Sequence, residues 1–201
     1  MKKVSLTTPL REVDVRGLKI GDIVYLTGIV YTARDLAHKR IIDLLKKGAS
    51  PPFNLEGSIV FHAGPIVKKT EGGEELVVVG PTTSGRMEPY ESTLIQRGVR
   101  AVVGKGGMGG KTAQALKRYG AVYLAAATGC AVIHAEAVKK IAGVYWRELG
   151  MMEAVWALEV DRWGPLTVAM DSRGGNLFRE LQRRAAKRLP QIYKSLMKSM
   201  S

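Results

Sequence analysis

Residues 100–128 read RAVVGKGGMGGKTAQALKRYGAVYLAAAT, and this stretch decides the fold. A short β-branched run at Arg100–Gly104 gives way to a glycine loop, then to KTAQALKRYG with helical spacing, then to the apolar run AVYLAAAT. Strand, glycine loop, helix and strand in that order predict a βαβ unit with parallel strands and a right-handed crossover. Two nucleotide motifs are nearly present, and both fail. Gly104, Gly106 and Gly109 match G-x-G-x-x-G, but the acidic residue needed to hold a ribose about 20 positions on is missing from AVYLAAATG. Gly110-Lys111-Thr112 resembles the end of a phosphate-binding loop, yet Lys105 stands where that loop needs its first glycine. What is left is a loop whose backbone amides can approach an anion, with Lys105 presented inside it.

Upstream, Val77–Met87 reads VVVGPTTSGRM. A β-branched run ends in Gly80-Pro81 and releases Thr82, Thr83, Ser84 and Arg86 before a helix can begin at Pro89. Hydroxyls and a guanidinium at a strand end can meet an anionic substrate while the strand holds them still. A third strand end precedes both. Ile23–Tyr31 is β-branched and aromatic, and a helix follows with Ala37, Ile41, Leu44 and Leu45 at helical spacing, closed by Gly48 and Pro51-Pro52. Thr32 and Asp35 have the spacing of a capping box, which puts Arg34 in the first turn. A cation there opposes the helix dipole, and that mild cost points to a use for Arg34. Arg34, Arg86 and Lys105 therefore each come from a predicted strand end. Arginine grips a carboxylate with a planar fork and lysine acts as a point charge, so the set suits a small dianion such as a dicarboxylate.

The remaining chain fills out a mixed α/β domain. Residues 1–16 read as an edge strand or arm, Gly57–His62 as a short strand, and Ile66–Lys69 with Glu75–Gly80 as a hairpin about a turn at residues 71–74. Residues 132–141 read as a short helix. Met152–Val160 and Pro165–Met170 read as two strands joined by Asp161-Arg162-Trp163-Gly164. A basic helix begins at Leu177. The expected division is a domain at 1–178 and a helical, basic C-terminal tail at 179–201.

Composition bounds the partners. With 201 residues, 46% hydrophobic and 24% charged, the chain can bury one substantial core. No apolar run approaches a membrane span, and MKKVSLTTPL lacks the apolar centre of a signal peptide, so a cytoplasmic location is expected. Cys130 is the single cysteine, which excludes an internal disulfide, and it reads as a small apolar residue. The net charge of +13 is concentrated: residues 179–201 hold seven basic residues against Glu180 alone. No run elsewhere alternates bases with aromatics as a single-strand groove would, which argues against nucleic acid. A solvent-facing basic helix or an acidic partner subunit fits better, with a nucleic-acid-binding protein as the alternative of another class. His38, His62 and His134 are dispersed and border apolar segments, where a structural histidine is expected. No H-E-x-x-H or paired-cysteine spacing exists, so the sequence argues for no metal site of its own.

YTARDLAH (Tyr31–His38), VVVGPTTSGRMEPY (Val77–Tyr90) and GVRAVVGKGGM (Gly98–Met108), together with LxxGDxVYLTG from Leu18 and DSRGGNLF from Asp171, resemble the β subunit, or C-terminal domain, of class I fumarases and L-tartrate dehydratases. The resemblance runs to about Phe178. It implies a swivelling β/β/α fold with mixed sheets, and hydro-lyase activity only together with an α-type subunit, in an α2β2 assembly. In that family the α-type partner holds a [4Fe-4S] cluster on three cysteines, and its unique iron binds substrate as a Lewis acid. Carried over by motif, the substrate-binding positions are Arg34, Thr82, Arg86 and Lys105, beside Thr83, with Thr82 as the catalytic base. Fumarate hydration to L-malate is the expected reaction, and L-tartrate dehydration to oxaloacetate is the alternative.

Overall fold

The central strands are apolar on both sides, as strands between two cores must be. In the computed structural model, which describes residues 1–71 and 73–199, β1 (Lys3–Thr7), α1 (Glu12–Arg16), β2 (Ile23–Thr32), α2 (Asp35–Lys46) and β3 (Ile59–Phe61) come first. The hairpin β4 (Ala63–Thr70) and β5 (Gly73–Pro81) follows, then a 3-10 turn at Ser84–Met87 and α3 (Glu88–Gln96). The chain continues as β6 (Ala101–Gly104), α4 (Gly110–Tyr119), β7 (Val122–Ala125), α5 (Ala131–Glu136), β8 (Val138–Tyr145), β9 (Val155–Met170) and α6 (Leu177–Ser199). Gly72, expected in the hairpin turn, lies outside the described residues, as do the side chains of Lys194 and Lys198 in the basic tail.

The βαβ reading of residues 100–128 holds: β6 and β7 pair in parallel from Ala101↔Val122 to Gly104↔Ala125. Ile23 pairs with both Lys3 and Thr167, and Tyr31 with both Val60 and Ala157, so β1 and β3 share one edge of β2 while β9 takes the other. Through Tyr123↔Met170 the strand β9 also reaches β7. The pairings β2–β3–β6–β7–β9–β2 thus close into a ring. Ile59, Phe61, Ala101, Val103, Val122, Leu124, Leu158 and Val168 fill the core inside it. Val60, Val102 and Tyr123 face outward, where Ala37 and Ile41 of α2, Leu94 and Ile95 of α3, and Ala115 and Leu116 of α4 cover them. Helices on one side of the ring thus leave the strand ends to carry loops.

Three local expectations are corrected. Met152–Val160 and Pro165–Met170 are one strand, because Asp161–Gly164 is a bulge and not a turn. Gly28 pairs with Val160 and Leu26 with Trp163, Arg162 takes φ 48°, and the Trp163 ring is buried in the core. Residues 132–141 split into α5 and β8. Val138, Ile141 and Val144 pack on the core at a spacing of three because register shifts at Val138/Lys140 and Ile141/Gly143 each add a residue to β8. The Thr32–Asp35 capping box does not form. Thr32 belongs to β2, where its Oγ1 accepts the Trp156 amide at 3.0 Å. The N-cap of α2 is Arg34, and Glu153 supplies the missing acceptor, taking the Leu36 amide on Oε2 at 2.8 Å.

Beyond the ring, α6 projects outward, with every residue from Leu181 to Tyr193 exposed. Among the described residues no helix is long and apolar enough to cross a membrane.

Candidate active site

The loop after β5 is anchored by its backbone on both sides. The Thr82 amide donates to the His62 carbonyl at 2.7 Å, the Lys105 amide donates to the Thr82 carbonyl at 3.3 Å, and Ser84 N donates to Lys105 O at 3.0 Å. Thr83 and Lys105 form an isolated parallel bridge. The ends of β5 and β6 are therefore held side by side, which brings Thr82, Thr83 and Lys105 together. Below them Ser84 Oγ lies 2.9 Å from the Tyr123 hydroxyl, and burial pushes that phenol up to about 12. Gly104 is required here, since a Cβ on it would overlap Ser84 Oγ and lie 3.2 Å from His62 Cβ.

Arg86 follows on the 3-10 turn. It donates from Nη2 to Thr82 Oγ1 at 3.0 Å, and grips Asp35 through Nε (3.0 Å) and Nη2 (2.9 Å). Nη1 takes no part in these bonds. Burial would raise the Asp35 carboxyl, but the hydrogen bond and charge of Arg86 hold it below the ordinary carboxylate range. Arg34, next to Asp35, has its Nε 3.3 Å from Glu153 Oε1, an ion pair without hydrogen-bond geometry. Both expected arginines thus already face carboxylates of the chain. Lys105 forms no ion pair among the described residues.

The glycine loop is partly engaged within the chain: of the amides expected to approach an anion, Glu88 takes that of Gly109, and it also takes those of Lys111 and Thr112 in the first turn of α4. That carboxylate accepts from Gly109 N (2.7 Å), Lys111 N (3.1 Å), Thr112 N (3.2 Å) and Thr112 Oγ1 (2.7 Å). It caps α4, whose first amides lack partners within the helix. Gly107 donates to the Tyr123 hydroxyl at 3.3 Å, and its Cα faces the Phe178 ring closely enough to exclude any side chain.

The histidines fall into two classes. His134 is fully satisfied: Trp163 Nε1 donates to its Nδ1 at 3.0 Å, and its Nε2 donates to the Ala127 carbonyl at 2.8 Å. Cys130 Sγ rests 3.4 Å from the same carbonyl and 3.6 Å from that Nε2. His38 and His62, dispersed in sequence, instead converge on one buried carboxylate. Their Nε2 atoms lie 3.2 and 2.9 Å from Glu91 Oε2. These three groups could in principle hold a metal ion, with ligand atoms all within 4.8 Å of one another. Burial would raise the Glu91 carboxyl, but the charge and hydrogen bonds of the imidazoles outweigh it and bring the group down to about 2. Burial lowers the His62 imidazole, against the opposing pull of Glu91.

Asp35, Glu88, Glu91 and Glu153 are the residues that sequence reasoning missed. Each is an acidic side chain whose partners lie 20 or more positions away along the chain, as with Glu91–His62 at 29 and Arg86–Asp35 at 51. The only sequence signal was the placement of Glu88 and Glu91 just beyond the Thr82–Arg86 loop.

The described cavities lie elsewhere. The largest, about 430 Å³, is lined by Thr8, Thr27, Gly28, Lys139 and Glu159.

The profile of a family described as "Fumarase C-terminus" matches residues 1–181. A Methanocaldococcus jannaschii protein with the provisional name L(+)-tartrate dehydratase subunit beta is 48% identical over 185 residues, covering 91% of this chain and 95% of that protein. The L(+)-tartrate dehydratase subunit beta of Escherichia coli K12 is 44% identical over 197 residues, covering 98% and 96%. A Geobacillus stearothermophilus protein provisionally named fumarate hydratase class I is 42% identical over 191 residues, 94% of this chain but 36% of that longer protein. The chain belongs to the fumarase C-terminus family.

Proposed function

We propose that this chain is the β-type subunit of a hydro-lyase acting on a four-carbon hydroxydicarboxylate, and that Thr82, Thr83, Arg34, Arg86 and Lys105 form its half of the active site. L-tartrate is the first substrate to test, because the relatives matched along nearly their whole length are named L(+)-tartrate dehydratase subunit beta. The malate–fumarate pair is the second, supported by the fumarate hydratase relative. The observation that carries the reading is the Arg86–Thr82 hydrogen bond. A threonine hydroxyl is a poor base unless its surroundings favour the alkoxide. Here Oγ1 accepts from a guanidinium, so negative charge on that oxygen is stabilised where a proton beside a carboxylate must be removed. Arg86 Nη1 and Lys105 are the groups left to stabilise charge building on the substrate carboxylate.

This chain cannot hold an iron–sulfur cluster itself. Its one cysteine is packed against Ala127 and His134, while a cluster needs several thiolates. The cluster implied by the resemblance would belong to an α-type partner and, when bound, would supply the Lewis acid for the departing hydroxyl. An α2β2 assembly completes the proposal. Co-expression with the α-type subunit, anaerobic reconstitution and assay on L-tartrate and malate test it. The complex should turn over one of them at least about tenfold faster by kcat/KM, since one hydroxyl distinguishes the substrates. A reconstituted complex inactive on both contradicts the proposal.

A further inference from the structure

His38, Glu91 and His62 lie beneath the proposed site, and the chemistry described so far does not use them. All three side chains are fully buried. Buried ionic groups cost desolvation energy, and apolar residues of similar volume often serve stability as well or better. The contacts of the three groups run toward the loop residues.

The His38 ring turns Nδ1 to the Arg34 carbonyl at 2.8 Å, an oxygen that also accepts the His38 amide at 2.9 Å. A carbonyl only accepts, so Nδ1 carries hydrogen. Nε2 faces the ionised Glu91 and donates as well. His62 donates from Nε2 to the same carboxylate oxygen, while its own carbonyl takes the Thr82 amide and its amide bonds Val103 O at 2.8 Å. Gly104, the neighbour of Lys105, packs on this ring, with its Cβ direction 3.3 Å from His62 Nδ1. Glu91 itself is on α3, which follows directly from the turn bearing Arg86.

We infer that His38, Glu91 and His62 are positioning residues of the hydro-lyase site: one carboxylate oxygen locks α2, α3 and the end of β3 together, and with them the segments that carry Arg34, Arg86 and Thr82. The inference rests on the site reading proposed above. The two limbs act on different steps. The His38 limb holds the Arg34 backbone and bears on substrate binding; the His62 limb holds the Thr82 backbone and bears on proton transfer.

The test uses the reconstituted complex with the α-type subunit, comparing Glu91→Gln, His62→Leu, His62→Gln and Arg86→Ala. Misplacing a reacting group by a fraction of an ångström costs about tenfold or more in rate. His62→Leu should therefore lower kcat per assembled complex at least about tenfold with KM within about threefold, and His62→Gln, which keeps an amide donor, should recover most of it. Glu91→Gln should move both kcat and KM. Variants with lowered melting temperature but wild-type kcat and KM per complex would show a merely structural role and overturn the inference. Should a variant fail to assemble, nitrogen-15 NMR of the three histidines in the wild-type full chain decides. Hydrogen on both His38 nitrogens and on His62 Nε2 is expected, and hydrogen on His62 Nδ1 instead would break the Glu91 link and overturn the inference. Full activity of Arg86→Ala would sink the site reading itself. Loss there with wild-type kinetics in the other variants would sink the positioning role alone.

Discussion

Arg86 donates to Thr82 Oγ1 from the same Nη2 that it shares with Asp35, at 3.0 and 2.9 Å. Asp35 thus aims the guanidinium at the threonine, while its negative charge partly offsets the cation. The Arg86–Asp35 pair is 44% and 38% exposed, and such pairs contribute about 0–1 kcal/mol to stability. Its significance is geometric.

Asp35→Ala should accordingly leave folding almost unchanged, with less than about 1 kcal/mol lost in urea denaturation. Turnover by the reconstituted complex should nevertheless fall about 10- to 100-fold, because the fork loses its orientation. Unchanged kcat with unchanged stability would mean that Asp35 does not aim Arg86.

Glu88→Ala should do the reverse. It strips four hydrogen bonds from the start of α4. Loss of a helix cap of this kind costs about 1–2 kcal/mol, read as a lower urea midpoint at unchanged slope. A midpoint equal to wild type would show that water replaces the carboxylate without cost.

The βαβ unit was legible because β6, α4 and β7 each show their own period, with a glycine loop between. That Thr82, Thr83 and Lys105 each stand at a strand end was legible, but their meeting was not: it rests on a backbone bridge from Thr83 to Lys105 between strands of two different sheets. Long-range carboxylates were not legible. Asp35 read as a local cap partner of Thr32, and nothing local in Glu91 marks it as the meeting point of two histidines 53 and 29 residues away. Asp161-Arg162-Trp163-Gly164 has the composition of a turn, and only the need to bury the Trp163 ring inside a closed sheet keeps β9 continuous. The bulges of β8 imitate helical spacing for the same reason: tertiary pairing sets which residues face the core.

Acid should destabilise the fold in two stages. His62 and Glu91 both have lower values in the folded chain than in the unfolded one. The unfolded chain then binds protons first as pH falls, so the stability is full above the unfolded value and is lost toward the folded one. For His62 the loss begins below its ordinary 6.5. For Glu91 it runs from 4.5 down to about 2. Urea midpoints should drop from about pH 7 to 5, and drop more steeply below pH 4.5, with His62→Gln losing the first stage. A wild-type midpoint constant from pH 7 to 5 would contradict a neutral, buried His62.

The account stands or falls on Thr82. Removing a catalytic base typically costs 10²–10⁴ in rate. In the complex reconstituted with the α-type subunit and assayed on the substrate it turns over faster, Thr82→Ala should lower kcat by at least about 100-fold while KM stays within about threefold and assembly is retained. An assembled Thr82→Ala complex with wild-type kcat would contradict it.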